Sequence, residues 1–594
     1  GDVRVLAFVT YETAYTPCGG IAAVLGRLPG RMSALAGSPS LVFTPYHHRL
    51  PRLASLATTV VGEVGVAFEG RTIPVQLLRH DGPAPHLFVR PADPAFFAGE
   101  RHPYDVAPGT LLRDSLFFGA AVARAIRVLQ PGAPWTLLLQ DWEAATVALA
   151  VAGQAARPRM FLTLHNSYDV AVSGTRLADA GLAPHACPGE TVLQRALGLC
   201  EWPVFTVSTQ FARDLVEDPF QAQVLAPHLS GLLGPRLVGI DNGLFTDRAV
   251  PEPVLTAARQ GDPGPLGHWK QEQQSAFLRA LDELRPDATQ PVWGDLKQFA
   301  RDASPLFVMA GRDDGRQKGY DVAAGAARAW LEQRCPGRFV FFPIPSDEGL
   351  EAVDFLRELA ADFPEGVLVF PFRFTAGFVQ ALRGATCGLM PSLYEPFGMA
   401  NEFYLNGTLG IGRATGGILQ QIVPWTRRGL GLPPTAGDNR VELERTSARS
   451  SAQAAGASRP AEETLVRGGI RAQRPALGGM APAVARRVDR VHSATAAPTG
   501  FLFHEVDGLP SELADWQEIN RTGTRAEPDR WRARRELPLF RSLVDSLVES
   551  LVQAAEVSSR PGQYAQLLVA GLDHLERNFS WDQAASEYLR YAGG

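Results

Sequence analysis

Two clusters carry charge and hydrogen-bonding groups at spacings suited to phosphate chemistry. Arg312 and the run Gln317-Lys318-Gly319 follow directly on an apolar stretch at residues 306–310. A guanidinium offers directed donors and an ammonium a compact charge, so one loop carrying both suits a diphosphate. The plainer reading is a solvated turn. Placement after a strand favours binding, because anionic ligands prefer the crevices at the carboxyl ends of parallel sheets. Lysine occurs only at Lys270, Lys297 and Lys318, so one set beside a functional motif carries extra weight.

The second cluster, PSLYEPFGMANEFYLNGT, begins at Pro391 after another strand candidate and puts Glu395 at a loop-to-helix transition. Arg413-Ala414-Thr415-Gly416-Gly417 follows, offering backbone donors and a hydroxyl to phosphate with little steric obstruction. Read plainly, Glu395 caps a helix and the glycines turn the chain. In the first half, Gln140-Asp141-Trp142-Glu143 and Thr163-Leu164-His165-Asn166 lie just after strand candidates. Such groups hold sugar hydroxyls or polarise a reacting oxygen without a metal; alternatively, Asp141 caps a surface helix and His165 is a structural histidine.

Residues 3–10 read as a buried strand, followed by a turn ending in Cys18-Gly19-Gly20 and an apolar-periodic stretch at 21–28. That is strand, glycine loop, helix. Strand-like runs recur at 137–139, 160–164 and 204–207, then at 305–310, 339–344, 366–370 and 387–392. The alternation predicts α/β architecture with parallel sheets, and two sheets are more economical than one. Between 251 and 300 the text turns to Pro, Gly, Gln and charge, which places a boundary near 300. Residues 431–500 hold no Phe, Tyr or Trp, and 10 Arg against 6 acidic residues; they read as an extended surface insertion, the rival being a small ordered helical flap.

The 594 residues are 45% hydrophobic and 20% charged, which fits a packed globular chain of more than one domain. A formal charge of −5 gives no electrostatic case for a nucleic-acid polymer as partner. The five cysteines stand without CxxC spacing, which argues against a disulfide framework or zinc site and for a reducing compartment. The opening residues lack a signal-type pattern and no apolar stretch approaches 18 residues, so a cytoplasmic location with no membrane insertion is expected.

Taken in order, Gly19-Gly20, Asp141-Trp142, Thr163 to Asn166, Asn242-Gly243, Arg312 with Gln317-Lys318-Gly319, Pro391 to Gly398, Thr415 to Gly417, Thr499-Gly500-Phe501 and Asn578-Phe579-Ser580-Trp581 resemble the landmarks of bacterial glycogen and starch synthases. The resemblance covers residues 2–589 apart from the insertion. It implies the GT-B fold, with two Rossmann-like domains facing across a deep cleft: 1–300 on the acceptor side, 301–535 binding the nucleotide sugar and carrying the 431–500 insertion, and a helical region at 536–594 packing back toward the first domain. The implied activity is retaining transfer of glucose from ADP-glucose to an α-glucan or maltooligosaccharide acceptor, without a cofactor or metal.

The resemblance also implies roles. Arg312 and Lys318 neutralise the leaving diphosphate, and Thr415, Gly416 and Gly417 fix its oxygens. Glu395 holds the donor sugar, Asp141 and His165 organise glucose and the reacting face, and Gly19 and Gly20 let the donor phosphate approach. The chain departs from the pattern at Pro17 and Ala23, where the family has lysine and an acidic residue. It has one extra residue between Arg312 and Lys318, and Phe403 stands eight positions after Glu395, with Glu402 one position earlier. UDP-glucose, a short acceptor, and a non-catalytic glucan-binding protein on this scaffold remain open as alternatives.

Overall fold

Apolar runs such as Trp135–Gln140 and Leu306–Arg312 become interior strands because both faces of a parallel sheet are covered, leaving no solvent side for alternating polar residues. The computed structural model describes residues 4–344, 350–372, 374–426, 430, 481–506, 509–521 and 528–593. They fall into two units, Gly1–Phe245 with Phe579–Gly594, and Thr246–Asn578.

The first unit is built on nine strands: β1 (Val5–Val9), β2 (Ser40–Pro45), β3 (Thr59–Phe68), β4 (Arg71–His80), β5 (His86–Pro91), β6 (Trp135–Gln140), β7 (Arg159–Leu164), β8 (Val204–Thr206) and β9 (Leu237–Gly239). Their order is β3-β4-β5-β2-β1-β6-β7-β8-β9. Pairing is parallel except for β3 with β4 and β4 with β5. The expected strands at 3–10, 137–139, 160–164 and 204–207 correspond to β1, β6, β7 and β8. The antiparallel β3–β4–β5 extension was not anticipated, although burial alternates along β3 as a one-sided strand requires. From β1 the chain goes to β2 on one side, and β6 lies on the other. The sheet therefore reverses its order at β1/β6, where ligand crevices form in open α/β sheets.

The landmarks at 242–243 and 579–581 explain one another. Trp581 opens the helix Trp581–Ala592, donates its indole N–H to Leu244 O at 2.7 Å, and stacks on Phe245 with ring centroids 6.3 Å apart. A Cβ at Gly243 would meet the indole at 2.5 Å, so the ring occupies space that only glycine leaves. These residues build the fold of their unit.

Among its described residues the second unit has six parallel strands: β10 (Leu306–Arg312), β11 (Arg338–Ile344), β12 (Val367–Val369), β13 (Cys387–Met390), β14 (Leu409–Arg413) and β15 (Phe501–Phe503). Their order is β12-β11-β10-β13-β14-β15, which reverses at β10/β13. Thr499 and Gly500 lead into the edge strand β15, where Tyr404 donates its hydroxyl to Thr499 O at 2.6 Å.

Composition places the first boundary near 300, whereas the units divide at Phe245/Thr246. The helix Gly264–Glu283 buries only Leu266, Phe277 and Leu281, so its polar, glutamine-rich text marks a solvent face and not a linker. It is fixed within the second unit by the Lys270 ammonium, which donates to Arg383 O at 3.0 Å, Gly407 O at 2.6 Å and Thr408 Oγ1 at 3.2 Å. The helical region expected from 536 is also divided, since the helices Pro538–Ser558 and Pro561–Asn578 lie with the second unit and Trp581–Ala592 with the first. Of the expected insertion, 431–480 lies outside the described residues. The helix Ala481–Val491 follows, with Val484 and Val488 buried.

Candidate active site

Lys318 and Glu395 are brought together by the reversal in the second sheet. Lys318 stands on the loop after β10 and Glu395 on the loop after β13, with Nζ 2.8 Å from Glu395 Oε2. The carboxylate also accepts from Gln317 Nε2 at 3.1 Å and Ser392 Oγ at 3.0 Å. Leu393 N donates to Gln317 O at 2.7 Å, joining the two loops through backbone. Gly319 has φ +70, and a Cβ there would lie 2.2 Å from Pro391 O, so the loops approach as closely as they do only at glycine. Glu395 caps no helix, because the helix Ala400–Leu405 begins after Met399.

The extra residue between Arg312 and Lys318 is absorbed as a turn. Asp314 O accepts from Gln317 N at 3.1 Å and Lys318 N at 2.9 Å, and Asp314 Oδ1 accepts from Arg316 N at 2.9 Å. Arg312 ends β10, half-buried. Arg312 and Arg316 act electrostatically on the buried Tyr394 hydroxyl, whose pKa is nonetheless raised, first by burial and then by Asp314.

Thr415 precedes the helix Gly416–Gln421, and Gly417 N donates to Glu395 O at 3.0 Å. Gly416 has φ +45, and a Cβ there would fall 1.7 Å from Glu395 O. Gly416→Ala is therefore expected to displace the Glu395 loop, weakening nucleotide binding at least about tenfold, as for loss of a hydrogen bond to a charged group. Calorimetric titration with ADP and UDP checks this, and unchanged affinity for both would separate the turn from the site. Arg413 is committed elsewhere: it pairs through two nitrogens with Glu505 and donates to Leu393 O at 2.7 Å.

Phe403 turns into the core, where a Cβ on Gly388 would meet its ring at 2.4 Å. Glu402 instead lies in the field of Lys318. Burial pushes its carboxyl up to about 7, and the ammonium opposes that shift.

In the first unit Asp141, at the junction of β6 with the helix that follows it, meets His165 on the loop after β7. Asp141, left-handed at φ +61, begins the helix Asp141–Val151, whose N-cap is Gln140. Its Oδ1 accepts from His165 N at 2.7 Å and its Oδ2 from Asn166 Nδ2 at 3.4 Å. Gln140 Nε2 donates to Leu138 O at 3.0 Å, which leaves Oε1 to accept from His165 Nε2–H at 2.7 Å. Burial lowers the imidazole to about 3, so it is neutral near pH 7, with the lone pair on Nδ1.

The glycine loop is organised by Glu12, which the sequence reading overlooked. Its Oε2 accepts from Cys18 N at 2.7 Å and Gly19 N at 3.0 Å, while a Cβ at Gly20 would meet nothing within 4 Å. Tyr11 and Tyr104, coupled electrostatically to neighbouring carboxylates, and Asp114 were not anticipated either, whereas Glu143 lies in the Gln140–Glu143 motif. Tyr104 is raised well above its ordinary value by burial first, then by Glu12, Glu143, Cys18 and Asp141. Burial lifts Asp114 to about 7, against the hydrogen bond from Phe97 N and the charge of Arg113. Glu143 and Gln317 had stood inside noted motifs, but Tyr11, Tyr104 and Asp114 carried no local signal.

His47, His86 and His165 are lowered by burial to about 4, about 4 and about 3. Between about pH 6.5 and these values the unfolded chain binds protons that the folded chain refuses. Their contribution is therefore full above about 6.5 and is lost as pH falls, at about 1.4 kcal/mol per pH unit for each histidine. Asp114 and Glu402, each raised to about 7, oppose this over the same range, while His492 and His504, also lowered by burial to about 4, add to it. The urea midpoint is therefore expected to drop between pH 7.5 and pH 5; an unchanged midpoint would contradict neutral burial.

Among the described residues, no group of three or more His, Cys, Asp or Glu is placed to hold a metal ion, and no helix is long and apolar enough to cross a membrane.

The starch synthase catalytic domain family matches residues 5–230. Glycogen synthase 2 of Nitrosococcus oceani is 26% identical over 435 residues, covering 69% of this chain and 81% of its own. Glycogen synthase of Dechloromonas aromatica is 27% identical over 445 residues, covering 70% and 84%. The catalytic domain of starch synthase IV from Arabidopsis thaliana, solved bound to ADP and acarbose, superposes with TM-score 0.57 at 17% identity, covering 95% of this chain and 99% of that one. That likeness carries the fold. The two parallel-sheet units share that GT-B fold, and the sequence matches relate this chain to the bacterial glycogen and starch synthases, as a GT-B-fold glycosyltransferase.

Proposed function

We propose that the chain extends an α-1,4-glucan from ADP-glucose by metal-independent front-face transfer with retention. The observation that carries the reading is the Lys318–Glu395 pair beside Gly416 and Gly417 at the β10/β13 reversal. Arg312 and Lys318 neutralise the leaving diphosphate, and Thr415 with the Gly416 and Gly417 backbone holds its oxygens. Glu395, positioned by Gln317 and Ser392, takes the hydroxyls of the donor glucose. Asp141 and His165 orient glucose and the reacting face, the neutral imidazole offering Nδ1 as an acceptor. Gly19 and Gly20 are assigned to the donor phosphate on the resemblance alone.

As the glucosyl C1–O bond to the diphosphate breaks, the acceptor 4-hydroxyl attacks from the same face. Its proton passes to the departing phosphate oxygen, so this path requires no protein nucleophile. A glucan as the acceptor is supported by the sequence relatives, which are glycogen synthases; ADP as the nucleotide rests on the motif resemblance.

Presenting ADP-glucose and UDP-glucose, each with glycogen, maltooligosaccharides and small sugars, tests the reading. The expected product is a glucan lengthened through α-1,4 bonds from ADP-glucose. Exclusive use of UDP-glucose or of small acceptors would replace the donor or acceptor assignment. Glucan binding by a folded chain that neither transfers nor hydrolyses any nucleotide glucose would overturn catalysis.

A further inference from the structure

One buried ion pair of the second unit reaches the Arg312–Lys318 loop from far along the chain. Arg534 donates through Nε to Asp321 Oδ2 at 2.6 Å, through Nη2 to Asp321 Oδ1 at 2.7 Å, and through Nη1 to Gly315 O at 2.8 Å. Its side chain is 1% exposed, and the guanidinium carbon lies 4.6 Å from the Trp531 ring centroid and 5.8 Å from that of Trp516. Asp321 is the second residue of the helix Tyr320–Glu332, and Gly315 lies in the turn that absorbs the extra loop residue. One guanidinium thus grips both ends of the segment 315–321, and Lys318 stands between its two points of attachment.

We propose that Arg534 is a positioning residue for donor binding, holding this lengthened loop so that the Lys318 ammonium is presented to the leaving diphosphate. The proposal rests on the reading of Lys318 as a diphosphate ligand. A desolvated guanidinium is a poor choice for stability alone, because apolar side chains of similar volume commonly fill such a place at no cost to the fold. What it supplies is geometry, since a planar fork meets a carboxylate through two bonds and still has a third donor for the Gly315 carbonyl. The compact ammonium of lysine cannot reproduce that arrangement.

The test compares wild type with Arg534→Lys, with the double replacement Arg534→Met and Asp321→Leu, and with Lys318→Ala. It measures ADP and UDP binding by calorimetry, donor and acceptor KM, kcat and thermal melting. In Arg534→Lys the nucleotide Kd and donor KM are expected to rise about tenfold or more, as for loss of a charge-assisted hydrogen bond. The acceptor KM should stay unchanged. The double replacement should melt near wild type yet show the same loss of nucleotide affinity, a separation that a merely structural role would not produce.

Wild-type nucleotide affinity in either folded Arg534 variant overturns the proposal. So does affinity that falls only in step with melting temperature, or a failure of both variants to fold. If wild type binds nucleotide and Lys318→Ala does not, while the Arg534 variants bind normally, this inference alone fails. If wild type binds neither ADP nor UDP, the reading of the site falls and the inference with it.

Discussion

Lys318→Ala is expected to lower kcat for glucosyl transfer by roughly 10²–10³, the usual cost of removing one preorganised donor from a developing oxyanion. In the structure the ammonium is satisfied by Glu395 at 2.8 Å and is 17% exposed. On the proposed reading, an arriving diphosphate would meet a charge already oriented. Truncation leaves the carboxylate its bonds from Gln317 and Ser392, so the melting temperature should change far less than the rate. Single-turnover transfer measured beside a melting curve separates the two effects. A rate within about threefold of wild type, less than a single hydrogen bond to a charged group is worth, would remove Lys318 from the donor site.

The second large effect is expected at Asp141. Its carboxylate ties the loop after β6 to that after β7 through His165 N at 2.7 Å. Asp141→Ala removes that bond and places alanine at φ +61, a region where Asp and Asn are tolerated better. Displacement of the His165 loop by about an ångström is expected to cost on the order of 10² in kcat/KM. Asp141→Asn keeps the backbone preference and one acceptor oxygen, so its loss should be smaller. Equal activity in wild type and the alanine variant would return Asp141 to a purely structural role.

Much of the chemistry was legible because it is local. A strand end, a glycine and a charged residue within a few positions can be read from text, which is how Arg312, Lys318, Glu395, Gly416, Asp141 and His165 were picked out as candidates. The interior strands were legible for the same reason, as unbroken apolar runs. The β3–β4–β5 extension escaped because its one-sided alternation is weak beside the parallel-strand signal. The boundary near 300 was placed by a shift in composition, whereas the units divide at Phe245/Thr246, since composition does not reveal what the helix Gly264–Glu283 packs against.

Local sequence also could not say what each charge would face. Glu12 answering Cys18 and Gly19, Arg413 committed to Glu505, and Arg534 gripping Asp321 and Gly315 depend on side chains meeting after the chain has closed. Residue type and short-range spacing marked which groups were candidates for phosphate and sugar, because those properties belong to a residue and its neighbours. Which of them meet, and which are occupied by the fold, was settled only when the order of strands brought β10 beside β13 and β1 beside β6. The reason is that burial and pairing energies depend on distances between residues up to hundreds of positions apart, and the spacing of residues along the chain does not encode those distances.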